Sequence, residues 1–110
     1  MTAVTPFRAK VYEALMLIPK GRVTTYKELA RYLHCRSAQA IGQALRHNPF
    51  APEVPCHRVI TTSLMIGGYS GETSGPILER KITLLAQEGV CFDPHGKLLD
   101  SSRLWSFNSL

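Results

Sequence analysis

Apolar residues along this chain fall into four helical patterns separated by short segments rich in glycine and proline. Phe7, Val11, Leu15 and Ile18 recur every three or four residues and share one face, with Thr5 placed to cap and Pro6 suited to a first turn. "PKG" at 19–21 ends this helix, and "RVTT" is a short extended stretch leading into "TYKELARYL". There Thr25 and Glu28 stand at capping-box spacing, and Leu29, Ala30 and Leu33 supply an inner face. A third helix fits "SAQAIGQALRHN", with Ser37 as cap and Ile41, Ala44 and Leu45 turned inward. Its outer positions Ala38 and Gly42 are small. They either admit another surface close to the helix backbone or face helix one, and periodicity leaves both open. Helix two, a tight connection and helix three, over about 25–47, follow the order of a helix-turn-helix.

The rest of the pattern is broken into short pieces. "NPFAPEVP" at 48–55 holds three prolines in eight residues and reads as a stiff loop, followed by "VITT", a short strand at most. "GGYSGETSG" is a glycine-rich loop. Pro76 starts a fourth helix with Ile77, Leu78, Ile82 and Leu85 apolar, and Gly89 closes it after Glu88. "VCFDPHGKLL" has the form of a small hairpin around "DPHG". The tail 100–110 has no assignable pattern, although Trp105 and Phe107 are suited to docking on the body.

Composition narrows the reading. A chain of 110 residues with 45% hydrophobic and 19% charged residues fits one compact domain, 1–110. No stretch approaches the run of ~18 apolar residues that spans a bilayer. The first ten residues lack a signal-peptide core, so an intracellular protein is expected, nuclear in a eukaryote and in the cytoplasm or nucleoid otherwise. A formal charge of +5 favours a polyanionic partner, and its scatter along the chain weakens the membrane alternative. Three dispersed cysteines, Cys35, Cys56 and Cys91, argue for reduced thiols. No pair shows CxxC spacing, so no structural zinc, other metal or cofactor is expected.

The chemistry gathers at "PCHRV", residues 55–59. Cys56 has a histidine and an arginine directly behind it. A histidine that takes the thiol proton, or a nearby cation, raises the thiolate fraction at neutral pH. An acid beyond the imidazole would fix its tautomer. Adjacency in sequence does not guarantee contact in space, and taken alone these residues leave a catalytic and an incidental cysteine both open.

Five blocks in one order extend that motif: "GRVTTYKELA", "AIGQALRHNP", "VPCHRVI", "GGYSG" and "LLAQEG". Together they resemble the C-terminal DNA-binding and catalytic domain of the O6-alkylguanine-DNA alkyltransferases, over about Phe7 to Val90. The resemblance implies a mainly α fold, a winged-helix-like helix-turn-helix DNA-binding domain with a short β-hairpin, and an active-site loop at 48–60. It implies a monomer that binds double-stranded DNA carrying O6-alkylguanine from the minor groove, flips the base, and transfers the alkyl group to itself once. Cys56 would be the acceptor thiol, His57 a base acting through water, Glu88 its partner, and Asn48 the brace of the turn presenting the thiol. Tyr26 would meet the target phosphate and the flipped base. Tyr69 and the Ser70 amide would serve O6, while the carbonyls of Cys56 and Val59 would accept from the exocyclic amine. Arg58, counted among the substrate-side residues, looks structural, tying the loop to the body. Ala38, Ala40 and Gly42 would allow close approach to DNA, and Arg46 and Lys27 would contact phosphates.

The chain departs from the family pattern in three places. Gln39 stands where the family has an arginine that fills the space of the extruded base, and Arg36 lies one turn earlier. About five residues are inserted around "ETSGPILE", which would either reshape the pocket wall or lengthen the fourth helix. An N-terminal domain that many members carry is expected to be missing. Two other readings compete: an alkyltransferase-like lesion sensor, which in that class lacks the cysteine, and a plain helix-turn-helix transcription factor, which leaves "PCHRV", Tyr69 and Glu88 unexplained.

Overall fold

The computed structural model describes residues 5–69 and 74–109. Helix α1 spans Pro6–Met16, and Thr5 Oγ1 accepts from the Arg8 amide at 3.1 Å, satisfying a donor that a helix start leaves free. Helix α2 covers Tyr26–Tyr32 behind Thr25, whose hydroxyl accepts from the Glu28 amide at 3.1 Å. Only this half of the expected capping box forms, because the Glu28 carboxylate is drawn to Arg31 and to the Ser106 hydroxyl. Helix α3, Ala38–Arg46, is capped by Ser37. Its inward residues Ile41, Ala44 and Leu45 are buried, as the pattern predicts.

A single 3-10 turn, Cys56–Arg58, leads into the two-residue strand β2, Val59–Ile60. This strand pairs in parallel with β1, Thr24–Thr25, in the register Thr24 to Val59 and Thr25 to Ile60. Two residues per strand leave no alternation to read, so the pairing was invisible in the sequence. Its consequence is positional: the start of α2 is fixed beside the residues that follow Cys56. The hairpin around "DPHG" forms, with the Asp93 amide bonded to Lys97 O at 2.8 Å and a bridge from Phe92 to Leu98.

Helix α4, Gly75–Gln87, departs from simple patterning. Ile77 and Ile82 are each 44% exposed, while Lys81 is fully buried beside Leu85. The described part of the inserted segment forms the first turns of this helix; residues 70–73 lie outside the described residues. The tail docks as expected. Trp105 N bonds to Val23 O at 2.8 Å, and Phe107 stacks on Tyr32 with centroids 4.2 Å apart. No described helix is long and apolar enough to cross a membrane.

The principal core joins α1, α2 and α3 through Val11, Leu15, Ile18, Leu29, Ile41 and Ala44, and Cys56 belongs to it. Burying each large aliphatic side chain contributes about 1.5–3 kcal/mol. A second cluster of Val23, Ile60, Leu85, Val90 and Leu98 anchors the C-terminal end of α4. The site lies where the two clusters meet.

Candidate active site

Cys56 is 6% exposed and opens the 3-10 turn, so its position is set by the turn and by the loop before it. Asn48 spans that loop: its Nδ2 donates to Val54 O at 2.9 Å, and its Oδ1 accepts from the Phe50 amide at 2.9 Å. Asn48 and Tyr69 both act on the sulfur to favour its thiolate. Burial raises the pKa of the Tyr26 and Tyr69 phenols, and the negative charge that Cys56 can carry adds to it. Tyr69 shares the buried cluster that holds Cys56, and Tyr26 packs against that cluster. Ser70 lies outside the described residues. The Cys56 carbonyl accepts from the Val59 amide, and the Val59 carbonyl accepts from Lys81.

Behind the thiol, His57, Glu88 and Arg58 form a largely buried, hydrogen-bonded chain. His57 is buried, and its Nε2 lies 3.1 Å from Glu88 Oε2. The Glu88 carboxylate also accepts from Arg58 Nε at 3.0 Å, Arg58 Nη2 at 2.9 Å and the Gly21 amide at 3.3 Å. Arg58 sends its remaining arm to Ile18 O at 2.9 Å. All its described bonds are internal, so Arg58 ties the loop to the body. Glu88 reaches this position as the C-cap of α4, which Gly89 terminates at φ +85°.

The protonation states differ from the sequence expectation. Burial pushes the Cys56 thiol up from its ordinary value; the Asn48 bond, the Lys81 charge and the Tyr69 bond pull it down without prevailing. No described hydrogen bond joins Cys56 directly to His57. Burial lowers the His57 pKa, outweighing the attraction of Glu88. Burial would raise Glu88, yet bonds from Arg58, His57 and Gly21 hold it at about 2. The resting site is therefore a neutral thiol and a neutral imidazole backed by a carboxylate. Burial therefore does not favour a cysteine already ionised by its neighbour: the thiol keeps its proton at rest, and His57 Nδ1 has no hydrogen-bond partner among the described residues.

Lys81 is the residue that sequence reasoning missed. Its ammonium donates to Val59 O at 3.0 Å, Ile66 O at 2.5 Å and Gly68 O at 3.1 Å. It thus ties β2 to the segment that delivers Tyr69, and it is the cation whose charge favours the Cys56 thiolate. Burial lowers its pKa to about 8. A signal was present: a lysine at the position that periodicity assigns to the inner face, between Leu78 and Leu85.

The outward surface of α3 carries the candidate nucleic-acid face. Ala38, Gln39 and Arg46 are exposed and Ala40 is half-buried. A Cβ added at Gly42 would meet nothing within 4 Å. Neither Ala38 nor Gly42 is small because α1 packs there, which removes that reading. Beside this face, a cleft of about 480 Å³ is lined by Tyr26, Lys27, Ala30, Arg31, Arg36 and Ala38. Its three cations suit a phosphate-bearing ligand. Among the described residues, no group of three His, Cys, Asp or Glu is placed to hold a metal ion.

Comparison with known proteins places this geometry in a family. A family profile described as 6-O-methylguanine DNA methyltransferase, DNA binding domain, matches residues 6–90. A methylated-DNA–protein-cysteine methyltransferase of Thermococcus sibiricus is 47% identical over 87 residues, covering 78% of this chain and 46% of that protein. The chain spans about half the length of the curated relatives it matches. The solved structure of Mycobacterium tuberculosis OGT in complex with DNA superposes with a TM-score of 0.67 at 41% identity, covering 76% of this chain and 50% of that one. S. pombe Atl1, in complex with damaged DNA containing O6-carboxymethylguanine, gives 0.75 at 32% identity, over 96% of this chain and 99% of Atl1. The chain belongs to the family of 6-O-methylguanine DNA methyltransferase DNA-binding domains.

Proposed function

We propose that this protein repairs duplex DNA by moving an alkyl group from O6 of guanine to Cys56 in one irreversible turnover. The observation that carries this reading is the buried thiol set beside a His57–Glu88–Arg58 chain, with Asn48, Tyr26 and Tyr69 around the sulfur. Guanine O6 lies on the major-groove edge of a stacked duplex, out of reach of a buried thiol approached from the minor groove, so the nucleotide rotates out into the site beside α3. As the sulfur attacks the alkyl carbon, the S–C bond forms and the C–O6 bond breaks. The thiol proton passes to His57 through a bridging water, Glu88 stabilises the imidazolium, and guanine leaves as Tyr69 protonates the departing anion and recovers a proton from His57 through solvent. The thioether has no return path, and the protein, working as a monomer inside the cell without cofactor, is consumed.

Intact-mass measurement after mixing with an O6-methylguanine duplex tests this. Wild type gains one methyl and Cys56→Ala gains none; tight binding with no mass change in wild type rejects transfer. That outcome would favour the second reading, a lesion sensor, which the end-to-end likeness to Atl1 keeps in view.

Two predictions concern the DNA face. Gly42 sits within a helix with open space at its Cβ, so Gly42→Ala should stabilise the free protein by about 0.5–1 kcal/mol. A larger side chain, Gly42→Leu, should weaken duplex binding at least tenfold by holding the helix backbone away from DNA. Thermal unfolding and titration of a labelled duplex separate the two effects; equal affinity for Gly42→Leu and wild type removes α3 from the interface. Gln39 cannot supply the flat guanidinium that fills a vacated base stack, so Gln39→Arg should raise the single-turnover rate on duplex substrate. An unchanged rate would show that flipping is not limited at this position.

A further inference from the structure

The tail packs against both halves of the site, although it lies beyond residues 6–90, where the family profile matches. Arg103 opens this contact. Its carbonyl accepts from the Val23 amide at 2.9 Å, and its Nη1 donates to Gly21 O at 3.3 Å. The guanidinium lies flat on two glycine turns: a Cβ at Gly89 would stand 3.2 Å from Nη2, and one at Gly21 would stand 3.4 Å from Nη1. Both glycines have φ +85°. These two turns carry opposite ends of one bond, since Gly21 donates its amide to the Glu88 carboxylate and Gly89 follows Glu88 directly. The guanidinium also sits at the C-terminal end of α4, where the helix dipole favours a cation.

Further along, the tail grips α2. Trp105 N bonds to Val23 O at 2.8 Å, one residue before β1. Ser106 Oγ donates to Glu28 at 2.8 Å, Asn108 Oδ1 accepts from Arg31 at 3.2 Å, and Phe107 stacks on Tyr32. One segment thus touches the turn that holds the carboxylate and the helix whose first residue is Tyr26.

We propose that residues 101–108 form a strap that holds the two halves of the site in register, with Arg103 as the positioning residue that fixes the Glu88 turn against Gly21. The inference rests on the alkyl-transfer reading for its consequence in rate, and on contacts alone for its consequence in structure. Arg103 touches no reacting atom. It acts through the Gly21–Glu88 contact and from there on the orientation of His57.

Arg103→Ala and Arg103→Lys test the strap with three readouts: the transfer rate at saturating O6-methylguanine duplex, the duplex Kd, and hydrogen exchange of the Gly21 amide. The Leu15 amide, deep in the core, reports any global loss of stability. Arg103→Ala should slow transfer roughly fivefold, as expected when a catalytic group is slightly misplaced, with Kd within about twofold of wild type. Gly21 exchange should quicken beyond the change at Leu15. Arg103→Lys, which keeps a cation near the Gly21 carbonyl, should recover most of the rate. A rate within twofold of wild type, a rate loss matched by the loss of affinity, or no recovery with lysine would overturn the proposal. If wild type takes up no methyl, the alkyl-transfer reading fails alone. Gly21 exchange then decides the strap: faster exchange in Arg103→Ala supports it, and unchanged exchange rejects it.

Discussion

Glu88→Ala should remove most of the stability of this domain together with its chemistry. The carboxylate accepts two bonds from Arg58, one from His57 and one from the Gly21 amide, in a position almost closed to water. Deleting one partner of a buried ion pair leaves the other charge without compensation, at about 3–5 kcal/mol. For a domain of this size, roughly 4–8 °C of Tm accompanies each kcal/mol, so a drop of more than about 12 °C is expected in a melting experiment. The transfer rate should fall by about 10²–10⁴, the range associated with losing a positioned acid–base partner. Glu88→Gln isolates the charge, since it keeps the shape while presenting an amide to the same donors.

Acid titration gives an independent measure. The folded-state pKa of Glu88, about 2, lies below its ordinary 4.5. The stability this group contributes is complete above about 4.5 and is lost as pH falls from there toward 2. His57 adds to the same acid weakness. Its pKa is depressed by burial below an ordinary 6.5, so protonation of the unfolded chain draws stability away as pH drops below that value. Comparing the unfolding free energy of wild type and Glu88→Gln from pH 7 to 2 should show the two curves converging in acid. Parallel curves, or transfer by Glu88→Gln within threefold of wild type, would remove Glu88 from the mechanism.

Lys81→Met carries the second large effect. The substitution removes a fully buried ammonium and leaves the carbonyls of Val59, Ile66 and Gly68 without that donor. Each unsatisfied buried acceptor costs about 1–3 kcal/mol, while relief from desolvating the charge offsets part of the sum. A net loss of about 2–4 kcal/mol at pH 7 is expected in denaturant unfolding. The alkaline side identifies the cause. Lys81 titrates at about 8 when folded and at 10.5 ordinarily, so the unfolded chain holds the proton more tightly. Wild-type stability should therefore rise between pH 8 and 10.5 relative to Lys81→Met. Transfer should slow about tenfold, because the thiolate loses its nearby cation and the Tyr69 segment loses its tether. A variant as stable and as fast as wild type would show that this lysine is a passive filler.

The local parts of the structure were legible in the sequence. Thr5, Thr25 and Ser37 each cap the helix predicted to follow, because capping is decided by residues three positions apart. The inward triad Ile41, Ala44 and Leu45 follows from helical period, and the hairpin at "DPHG" from turn chemistry. The five sequence blocks in their order suffice to indicate the family, and they contain Cys56, His57, Glu88 and Asn48.

Contacts between distant segments were decided by the tertiary structure alone. Glu28 is the clear case: its spacing from Thr25 suggests a capping box, but a tail hydroxyl 78 positions away and Arg31 take its carboxylate. Helical period puts Lys81 on the inner face, but only the fold shows what holds its charge there, three carbonyls from two other segments. The resting state of the thiol depended on the same kind of information. A neighbouring histidine suggests an ionised cysteine, whereas packing within the α1–α3 core desolvates the sulfur and keeps its proton on. Sequence by itself determined the helices, their caps and the identity of the reactive groups, since those are set within one or two turns of chain. The burial of Lys81, the charge state of the thiol and the docking of Arg103 were set only by folding, because the solvent exclusion and the partners responsible come from residues that meet nowhere but in three dimensions.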